Sequence, residues 1–323
     1  MNTKCDYPLR FQPIFRRYLW GGRRLATMLG KALGAGDDYA ESWELVDHGT
    51  DQSVVLSGPL AGLTLERLVA EHGDDLFGRH AGLRQFPLLF KFLDCNRTLS
   101  VQVHPNDAQG ALLDPPDLGK TEAWVVLAAE PGSKIYAGLR SGVKRTDLRE
   151  ALVTGRIEDC LHVFEPQPAD CVLIEAGTVH ALGAGLVIAE IQQASDTTFR
   201  LYDWNRVGAD GKPRPLHIEP SLEVTDFDRG PATPQQPHST DQPGRERLVE
   251  CDKFVLDRQT LVDPQSIGGD LRFHLLVVIE GNLTVGGELL PVGATCLLPA
   301  AAGVVEFVPQ GRAVLLDICL PTA

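Results

Sequence analysis

Apolar and polar residues alternate in short stretches along most of the chain, and the clearest stretch covers residues 98–105. Its apolar positions are Leu99, Val101 and Val103, and its polar positions are Ser100, Gln102 and His104. A period of two is typical of a strand with one apolar and one polar face, so the three polar side chains should point the same way. Pro105 ends the run. Three polar groups on one strand favour a strand that lines the mouth of a barrel over an ordinary core strand.

Other short runs predict a mainly β protein. Strands are predicted at 41–47, 53–57, 87–94, 120–127, 171–174, 179–182, 186–192 and 197–203, and further on at 254–261, 273–280, 281–287, 294–298 and 304–308. Helices are predicted at 24–29, 64–72, 106–113 and 144–153. The stretch at 20–22 is predicted to be a turn, and Gly73 is predicted to end the second helix. Many short strands separated by Gly and Pro favour an all-β barrel or sandwich with inserted helices.

The composition changes between residues 229 and 247, where Pro, Gln, Ser, Asp and Arg dominate. A segment of this kind is typical of a linker or a long surface loop. We therefore expect three parts. Residues 1–228 form a domain with helical insertions, 229–247 form the linker or loop, and 248–323 form a smaller β-barrel.

The 323 residues include 30 Lys and Arg and 43 Asp and Glu, which gives a net charge of −13. This excess of acid disfavours a broad nucleic-acid or anionic-membrane surface, so an anionic ligand must be held by a few placed cations. The first residues show no apolar stretch of signal-peptide length, and no window approaches the roughly 20 apolar residues of a membrane span. The expected location is the cytoplasm. Seven scattered cysteines without a C-x-x-C pair favour reduced thiols over a disulfide framework.

Gln102 and His104 need partners on other strands, and Glu122 and His180 are the candidates. Two histidines, a carboxylate and an amide oxygen from three strands could bind a borderline divalent ion such as zinc. Each histidine alone could instead be a hydrogen-bonded structural residue. Glu122 is harder to explain that way, because a carboxylate in the apolar strand 120–127 needs a cation or strong donors. The other seven histidines show no convergent partners in the sequence.

Charged residues within apolar strands form a second group of candidates. Lys91 either extends to solvent at a sheet edge or meets an anion inside the protein. Lys120 lies on the same strand face as Glu122. Together with Ser100, these lysines could hold a phosphate. Arg200 and Glu190 also interrupt apolar strands, where a plain salt bridge across the strand face is the alternative.

The order and spacing of seven short motifs resemble the type I mannose-6-phosphate isomerases, a zinc-dependent family of cupin fold, and most closely its short bacterial form. The motifs are Trp20-Gly-Gly22, Glu41-Ser-Trp43-Glu44, Phe90-Lys-Phe-Leu93, Ser100-Val-Gln102-Val-His104-Pro105, Gly119-Lys-Thr-Glu122-Ala-Trp124, Gly177-Thr-Val-His180-Ala and Ser195-Asp196-Thr-Thr-Phe-Arg200. They cover most of residues 7–227. The resemblance implies a cupin-like (jelly-roll) β-barrel with inserted helices and a smaller, degenerate C-terminal cupin lobe without its own metal.

The same resemblance implies roles for the residues that match the family's motifs. It implies one Zn²⁺ per chain in the N-terminal cupin, held by Gln102, His104, Glu122 and His180. Substrate-binding positions match Ser100, Lys91 and Lys120. The family's catalytic arginine matches Arg200, and an acid ahead of it matches Glu190. Gln102 and His104 replace the common His-x-His pattern of cupins, which favours the isomerase branch over the iron oxygenases.

The family implies reversible interconversion of mannose 6-phosphate and fructose 6-phosphate through a cis-enediol, with the ion and Arg200 stabilising the developing oxyanion. The base is left open among Lys120, Glu190, a metal-bound water and a histidine. Two other classes remain: a non-haem iron oxygenase, and a catalytically silent cupin that binds a sugar phosphate without turnover. The expected partner is a small sugar phosphate, with no nucleic acid and no membrane. Neither the oligomeric state nor the preference among aldose 6-phosphates follows from the sequence.

Overall fold

The computed structural model describes residues 4–208 and 211–322 and consists mainly of strands. The helices are α1 (Arg24–Leu29), α2 (Leu65–Phe77), α3 (Asp107–Gly110), α4 (Arg145–Thr154) and α5 (Ile218–Val224). We name as the first lobe the strands β1 (Ile14–Gly22), β2 (Tyr39–Leu45), β3 (Asp47–His48), β4 (Asp51–Gln52), β5 (Leu88–Cys95), β6 (Val101–Val103), β7 (Glu122–Ala129), β8 (Ile135–Leu139), β9 (Leu161–Phe164), β10 (Cys171–Ile174), β11 (His180–Leu182), β12 (Leu186–Gln193) and β13 (Phe199–Tyr202). The second lobe comprises β14 (His238–Ser239), β15 (Arg245–Glu250), β16 (Val255–Leu261), β17 (Gln265–Gly268), β18 (His274–Glu280), β19 (Asn282–Val285), β20 (Glu288–Pro291), β21 (Thr295–Leu298), β22 (Val304–Pro309) and β23 (Ala313–Cys319).

Each lobe is built from two antiparallel sheets. In the first lobe, sheet I has the order β1-β2-β5-β12-β7-β10 and sheet II the order β13-β6-β11-β8-β9. In the second lobe, sheet III has the order β14-β15-β16-β23-β18-β21 and sheet IV the order β17-β22-β19-β20. Strands β3 and β4 form a separate hairpin. The mainly β architecture predicted from the short strands is confirmed.

Side chains alternate between the two faces of each sheet. One face packs in the core of its own lobe, and the outward faces of sheets I and III form a third core between the lobes. Leu93 of sheet I packs with Ile135 and Leu182 of sheet II, whereas its neighbour Phe92 points to the opposite face. In the same way Leu315 faces the core of the second lobe and Leu316 faces away from it. The outward faces of sheets I and III share one apolar cluster, in which α2 also takes part. The two lobes therefore pack back to back.

Several predicted elements differ from the structure. The strand predicted at 53–57 is present only as isolated bridges at Val54 and Val55, and the helix predicted at 106–113 ends at Gly110. Residues 20–22 end β1 rather than forming a turn. A Cβ on Gly21 would lie 2.5 Å from backbone atoms of Tyr39 and Ala40, so this glycine permits a close approach of backbone segments. Helix α2 continues past Gly73 through a kink at His72. Its last residues, Leu76 and Phe77, are fully buried, which outweighs the roughly 1 kcal/mol that a glycine costs within a helix.

Several elements were not apparent from the pattern. The paired part of the run at 98–105 is only Val101–Val103. The unpredicted α5 has Pro220 in its first turn, where a missing N–H costs nothing. Strands β8, β9, β15, β17, β20 and β23 were also unpredicted.

The Pro- and Gln-rich segment runs along the first lobe, since Pro231 forms a bridge with Gly138 and Pro234 with Val172. β15 begins at Arg245, within this segment. The domain boundaries at 228 and 247 stay predictions. Residues 1–3 belong to the N-terminal stretch on which the expected location in the cytoplasm was based, and they lie outside the described residues. No helix in the described ranges is long and apolar enough to cross a bilayer, and all seven cysteines are free.

Candidate active site

The polar face predicted for residues 98–105 borders a cavity of about 320 Å³ in the first lobe. Ser100 and Gln102 line this cavity, while Val101 and Val103 point the other way into the core beneath α4 and α5. Further walls carry predicted site residues from other strands and loops: Lys91, Lys120, Glu190 and Arg200. The alternation along β6 therefore correctly predicts that Gln102 faces the cavity.

His104, Glu122 and His180 meet beside this cavity. Glu122 is the first residue of β7, and His180 of β11 lies opposite Gln102 in the ladder with β6. His180 Nε2 lies 3.3 Å from Glu122 Oε1, and His104 Nε2 lies 3.6 Å from Glu122 Oε2. One ligand atom from each of the three residues falls within 4.8 Å of the others. All three side chains are almost completely buried.

Backbone carbonyls fix the tautomer of both histidines. His104 Nδ1–H donates to Thr197 O at 2.8 Å, and His180 Nδ1–H donates to Thr178 O at 2.9 Å. Burial, followed by the charge of Lys120, lowers the pKa of His104 far below its ordinary value, and burial together with a smaller effect of Lys120 lowers the pKa of His180 to about 4. Both rings are therefore neutral near pH 7, with the Nε2 lone pair directed to Glu122. This is the form of histidine that binds metal ions.

Unpartnered atoms support a cation at this place. His180 Nε2 is buried and has no hydrogen-bond partner among the described residues. Glu122 Oε2 makes no hydrogen bond of regular geometry, although Lys120 Nζ lies 2.9 Å away. Two ligands bound tetrahedrally at about 2.1 Å from an ion lie roughly 3.4 Å apart, close to the 3.3 and 3.6 Å that separate the two histidines from the two oxygens of Glu122. The residues present therefore fit a metal ion, with Gln102 beside them.

The two lysines lie inside the protein, next to carboxylates. Lys91 belongs to β5, a central strand of sheet I, and its Nζ lies 3.3 Å from Glu190 Oε1 and 3.7 Å from Glu41 Oε2. Burial alone would lower the pKa of Lys91, but the charges of Glu190 and Glu41 outweigh it and raise the pKa. Lys120 Nζ lies 3.2 Å from His104 Nε2 and 4.0 Å from Glu190 Oε1. Of the alternatives for Lys91, the structure shows the contact with anions inside.

Glu190 is a buried carboxylate with a raised pKa, caused first by burial and then by the charge of Glu122. Trp124 Nε1–H donates to its Oε2 at 3.2 Å. Its Oε1 has no regular hydrogen bond and lies at the wall of the cavity, between the two lysines. Such a carboxyl group is poised to accept or hold a proton.

Arg200 provides positive charge at another wall. Its Nε donates to Ser100 Oγ at 3.3 Å and one terminal nitrogen donates to Pro215 O at 3.1 Å. Burial, followed by the nearby charge of Arg214, lowers the pKa of Arg200. Arg214 also lines the cavity, where Asp203 holds its guanidinium with hydrogen bonds of 2.7 and 2.8 Å.

Sequence reasoning missed several residues of this cavity: Tyr18, Glu41, Asp196, Thr198 and Arg214. Glu41 and Asp196 belong to two of the motifs that carry the family resemblance, and their presence in these motifs could have identified them as site residues. Four of the other seven histidines have hydrogen-bond partners that the sequence did not reveal, among them His48 with Asp117 and His80 with the carbonyl oxygen of Pro321. His217 Nδ1 accepts the backbone N–H of Arg200 at 3.1 Å, and His274 lies between Asp317 and Asp270 in the second lobe.

Comparisons with known proteins agree with this geometry. The pattern of the family described as phosphomannose isomerase type I, catalytic domain, matches residues 9–122. Mannose-6-phosphate isomerase ManA of Bacillus subtilis is 36% identical over 315 residues, which cover 95% of this chain and 96% of the relative. Mannose-6-phosphate isomerase of Streptococcus mutans is 40% identical over 217 residues, or 67% of each chain.

Solved structures show the same fold. The crystal structure of the mannose 6-phosphate isomerase from Bacillus subtilis superposes with a TM-score of 0.88 at 28% identity, covering 97% of this chain and 99% of that one. A putative mannosephosphate isomerase from Archaeoglobus fulgidus has a TM-score of 0.78 at 24% identity, with 98% of each chain covered. The cupin fold expected from the motifs is thereby confirmed. With a curated relative similar over nearly its whole length, the chain belongs to the type I phosphomannose isomerase family.

Proposed function

We propose that this chain is a metal-dependent aldose–ketose isomerase that interconverts mannose 6-phosphate and fructose 6-phosphate. One observation carries the proposal: the ligand atoms of two histidines and a carboxylate converge beside a cavity that is lined by four cationic side chains, in a chain with a net charge of −13. A divalent ion and a phosphorylated sugar are the partners that suit these charges. The relatives named mannose-6-phosphate isomerase support the choice of substrate.

The ion proposed is Zn²⁺, one per chain, held by His104, Glu122 and His180 with the amide oxygen of Gln102 as a fourth ligand. Imidazole, carboxylate and amide ligands in this number suit zinc. When bound, the ion would polarise the carbonyl group of the open-chain sugar and stabilise negative charge on its oxygen.

The chain's own residues would bind the substrate and move its proton. Ser100, Lys91 and Lys120 hold phosphate and sugar oxygens. Glu190 and Lys120, whose nearest polar atoms are 4.0 Å apart, hold the proton that moves between C1 and C2. The raised pKa of Glu190 makes it a stronger base than an ordinary carboxylate. The guanidinium of Arg200 supplies positive charge for the enediol oxygens.

The test is a coupled isomerase assay on zinc-loaded and chelated protein, with mannose 6-phosphate and with unphosphorylated mannose at equal concentration. We expect turnover of the phosphorylated sugar by the loaded protein, loss of turnover on chelation, and recovery when zinc is returned. No turnover of mannose 6-phosphate with metal fully bound would contradict the proposal. Thermal stabilisation by the sugar phosphate without turnover would instead indicate the silent binding protein.

A further inference from the structure

The loop that joins β6 to β7 covers residues 104–121 and carries Lys120 near its end, and it contains little regular structure besides the four-residue helix α3. Its conformation depends on hydrogen bonds to the backbone on both sides of Lys120. Gly119 N–H donates to Asp107 Oδ1 at 2.9 Å, and Lys120 N–H donates to Pro105 O at 3.0 Å. The backbone from which the Lys120 side chain extends is therefore held by Asp107 and Pro105.

Asp107 also reaches the residue after Lys120. Gln193, a buried residue at the end of β12, donates from Nε2 to Asp107 Oδ1 at 2.8 Å. The Oε1 atom of the same amide accepts Thr121 N–H at 3.0 Å. Asp107 thus binds the amide of Gly119 directly and the amide of Thr121 through Gln193. These two residues flank Lys120, and Thr121 leads directly into Glu122.

The second oxygen of this carboxylate is held by the other lobe. Lys253 Nζ donates to Asp107 Oδ2 at 2.7 Å. Lys253 lies in the turn before β16, where Cys251 N–H donates to Phe254 O at 3.1 Å and Phe254 is completely buried in the core shared by the lobes. The base of the lysine is therefore fixed, while the Asp107 side chain is 45% exposed and could turn to water without it.

We propose that Lys253 is a positioning residue through which the second lobe aligns Lys120 and Glu122 for the reaction. The reaction itself rests on the proposed function; the alignment does not. A charge-assisted hydrogen bond keeps Asp107 in the one orientation that serves both Gly119 and Gln193. Loss of the ammonium group frees the carboxylate, and the segment 119–122 then samples positions in which Lys120 is displaced from Glu190.

The experiment compares Lys253→Met, Lys253→Arg and Arg258→Met in the full-length, zinc-loaded protein. Arg258 is the matched control, because it also crosses between the lobes, donating to Ala169 O at 3.0 Å, but it does not lead to Lys120. Two quantities are measured: the hydrogen exchange rates of the Gly119 and Thr121 amides, and kcat and KM for mannose 6-phosphate.

We expect Lys253→Met to speed exchange of these two amides about tenfold and to lower kcat about tenfold with KM changed less than about twofold. Lys253→Arg should restore both, and Arg258→Met should change neither. Exchange and kcat of Lys253→Met equal to those of Arg258→Met would overturn the proposal, as would faster exchange spread over the whole chain. If the wild type does not isomerise the substrate, the proposed function fails and the exchange rates alone decide the role of Lys253.

Discussion

At the level of single residues, the site has an imbalance of buried charge. The buried ionisable side chains are Lys91, Lys120, Glu41, Glu122 and Glu190. In their ionised forms these five side chains sum to one negative charge, and the neutral histidines add none. Uncompensated buried charge is costly. A divalent cation would convert this deficit into one excess positive charge, which suits the binding of a phosphate ester.

Arg200→Ala should separate catalysis from metal binding. The side chain contacts Ser100 and a loop carbonyl and none of the proposed metal ligands. We expect kcat to fall by about two to three powers of ten, because a charge that stabilises the enediol oxygens is lost. Zinc content, measured by atomic absorption, should stay at the wild-type value. Arg149→Ala, which breaks an exposed pair with Glu219, is the control and should leave kcat unchanged. A parallel loss of zinc and activity would mean that Arg200 acts through the ion.

The alternation of side chains was enough to predict which residues of β6 face the site, since it depends only on local backbone geometry. It could not predict Arg214 or Asp196, which lie in irregular segments. Arg214 reaches the cavity because Asp203 holds its guanidinium, and such a contact follows no sequence period. The structural partners of His274 were missed for the same reason, since Asp317 is 43 residues away.

At the level of elements, the loop before β7 is a second support of the site. Asp117 accepts hydrogen bonds from Ser195 Oγ at 2.8 Å and Thr197 Oγ1 at 2.6 Å, and its Oδ1 lies 3.2 Å from His48 Nε2. Burial would raise the pKa of Asp117, but these hydrogen bonds lower it well below its ordinary value. Because Thr197 O accepts Nδ1–H of His104, Asp117 indirectly fixes that ring.

Asp117→Ala should therefore weaken zinc binding about 10- to 100-fold, the usual cost of losing a partner behind a metal ligand. The measurement is competition for zinc with a chelator of known affinity. Asp114→Ala, an exposed carboxylate on the same loop, is the control and should bind zinc like the wild type. Equal affinities of the two variants would show that Asp117 does not orient His104.

Element type was easier to predict than element length. The helix at 24–29 follows from local periodicity, and the central strands β5 and β12 follow from short apolar runs. The extension of α2 to Phe77 depends on burial against the second lobe, where Phe77 packs on Phe273. Strand β23, which is central in sheet III and buried throughout like β5 and β12, was missed, because a strand buried on both faces lacks the alternating signal and is recognised only by its apolar content.

At the level of the whole molecule, each lobe has a pair of charged residues opposite each other on neighbouring central strands, but the two pairs differ in the signs of their charges. The first lobe pairs Lys91 with Glu190 across β5 and β12, beside an open cavity. The second lobe pairs Asp257 with Asp317 across β16 and β23. There the chain supplies the compensating cations itself, with Arg245 2.7 Å from Asp257 and 2.9 Å from Asp317. The back-to-back packing of the lobes depends on long-range contacts and was not predictable from the sequence pattern.

His274 makes the stability of the protein depend on pH. Burial would lower its pKa, but Asp317 and Asp270 outweigh burial and raise it to about 9, from an ordinary value of 6.5. Because the folded state favours the protonated ring, its contribution is complete below pH 6.5 and is lost as the pH rises through about 9. This difference between the pKa of His274 in the folded protein and its ordinary value corresponds to about 3 kcal/mol of unfolding free energy.

The check is urea unfolding of the metal-free wild type and of His274→Gln at pH 6 and pH 9.5. The wild type should lose about 3 kcal/mol more than the variant between these pH values. The charges that face this ring are Asp317, Asp270, Arg245 and Arg272, and all are kept in the variant. An equal loss in both proteins would show that another group sets the dependence.

The zinc dependence of the isomerase reaction is tested by a titration of metal-free protein with Zn²⁺ in which bound zinc and turnover of mannose 6-phosphate are recorded together. Both should rise in parallel and level off at one ion per chain. In Glu122→Gln, which removes one ligand charge, zinc binding should weaken at least about a hundredfold and turnover should fall with it. Full turnover without zinc, or one ion per chain without turnover, would contradict the account.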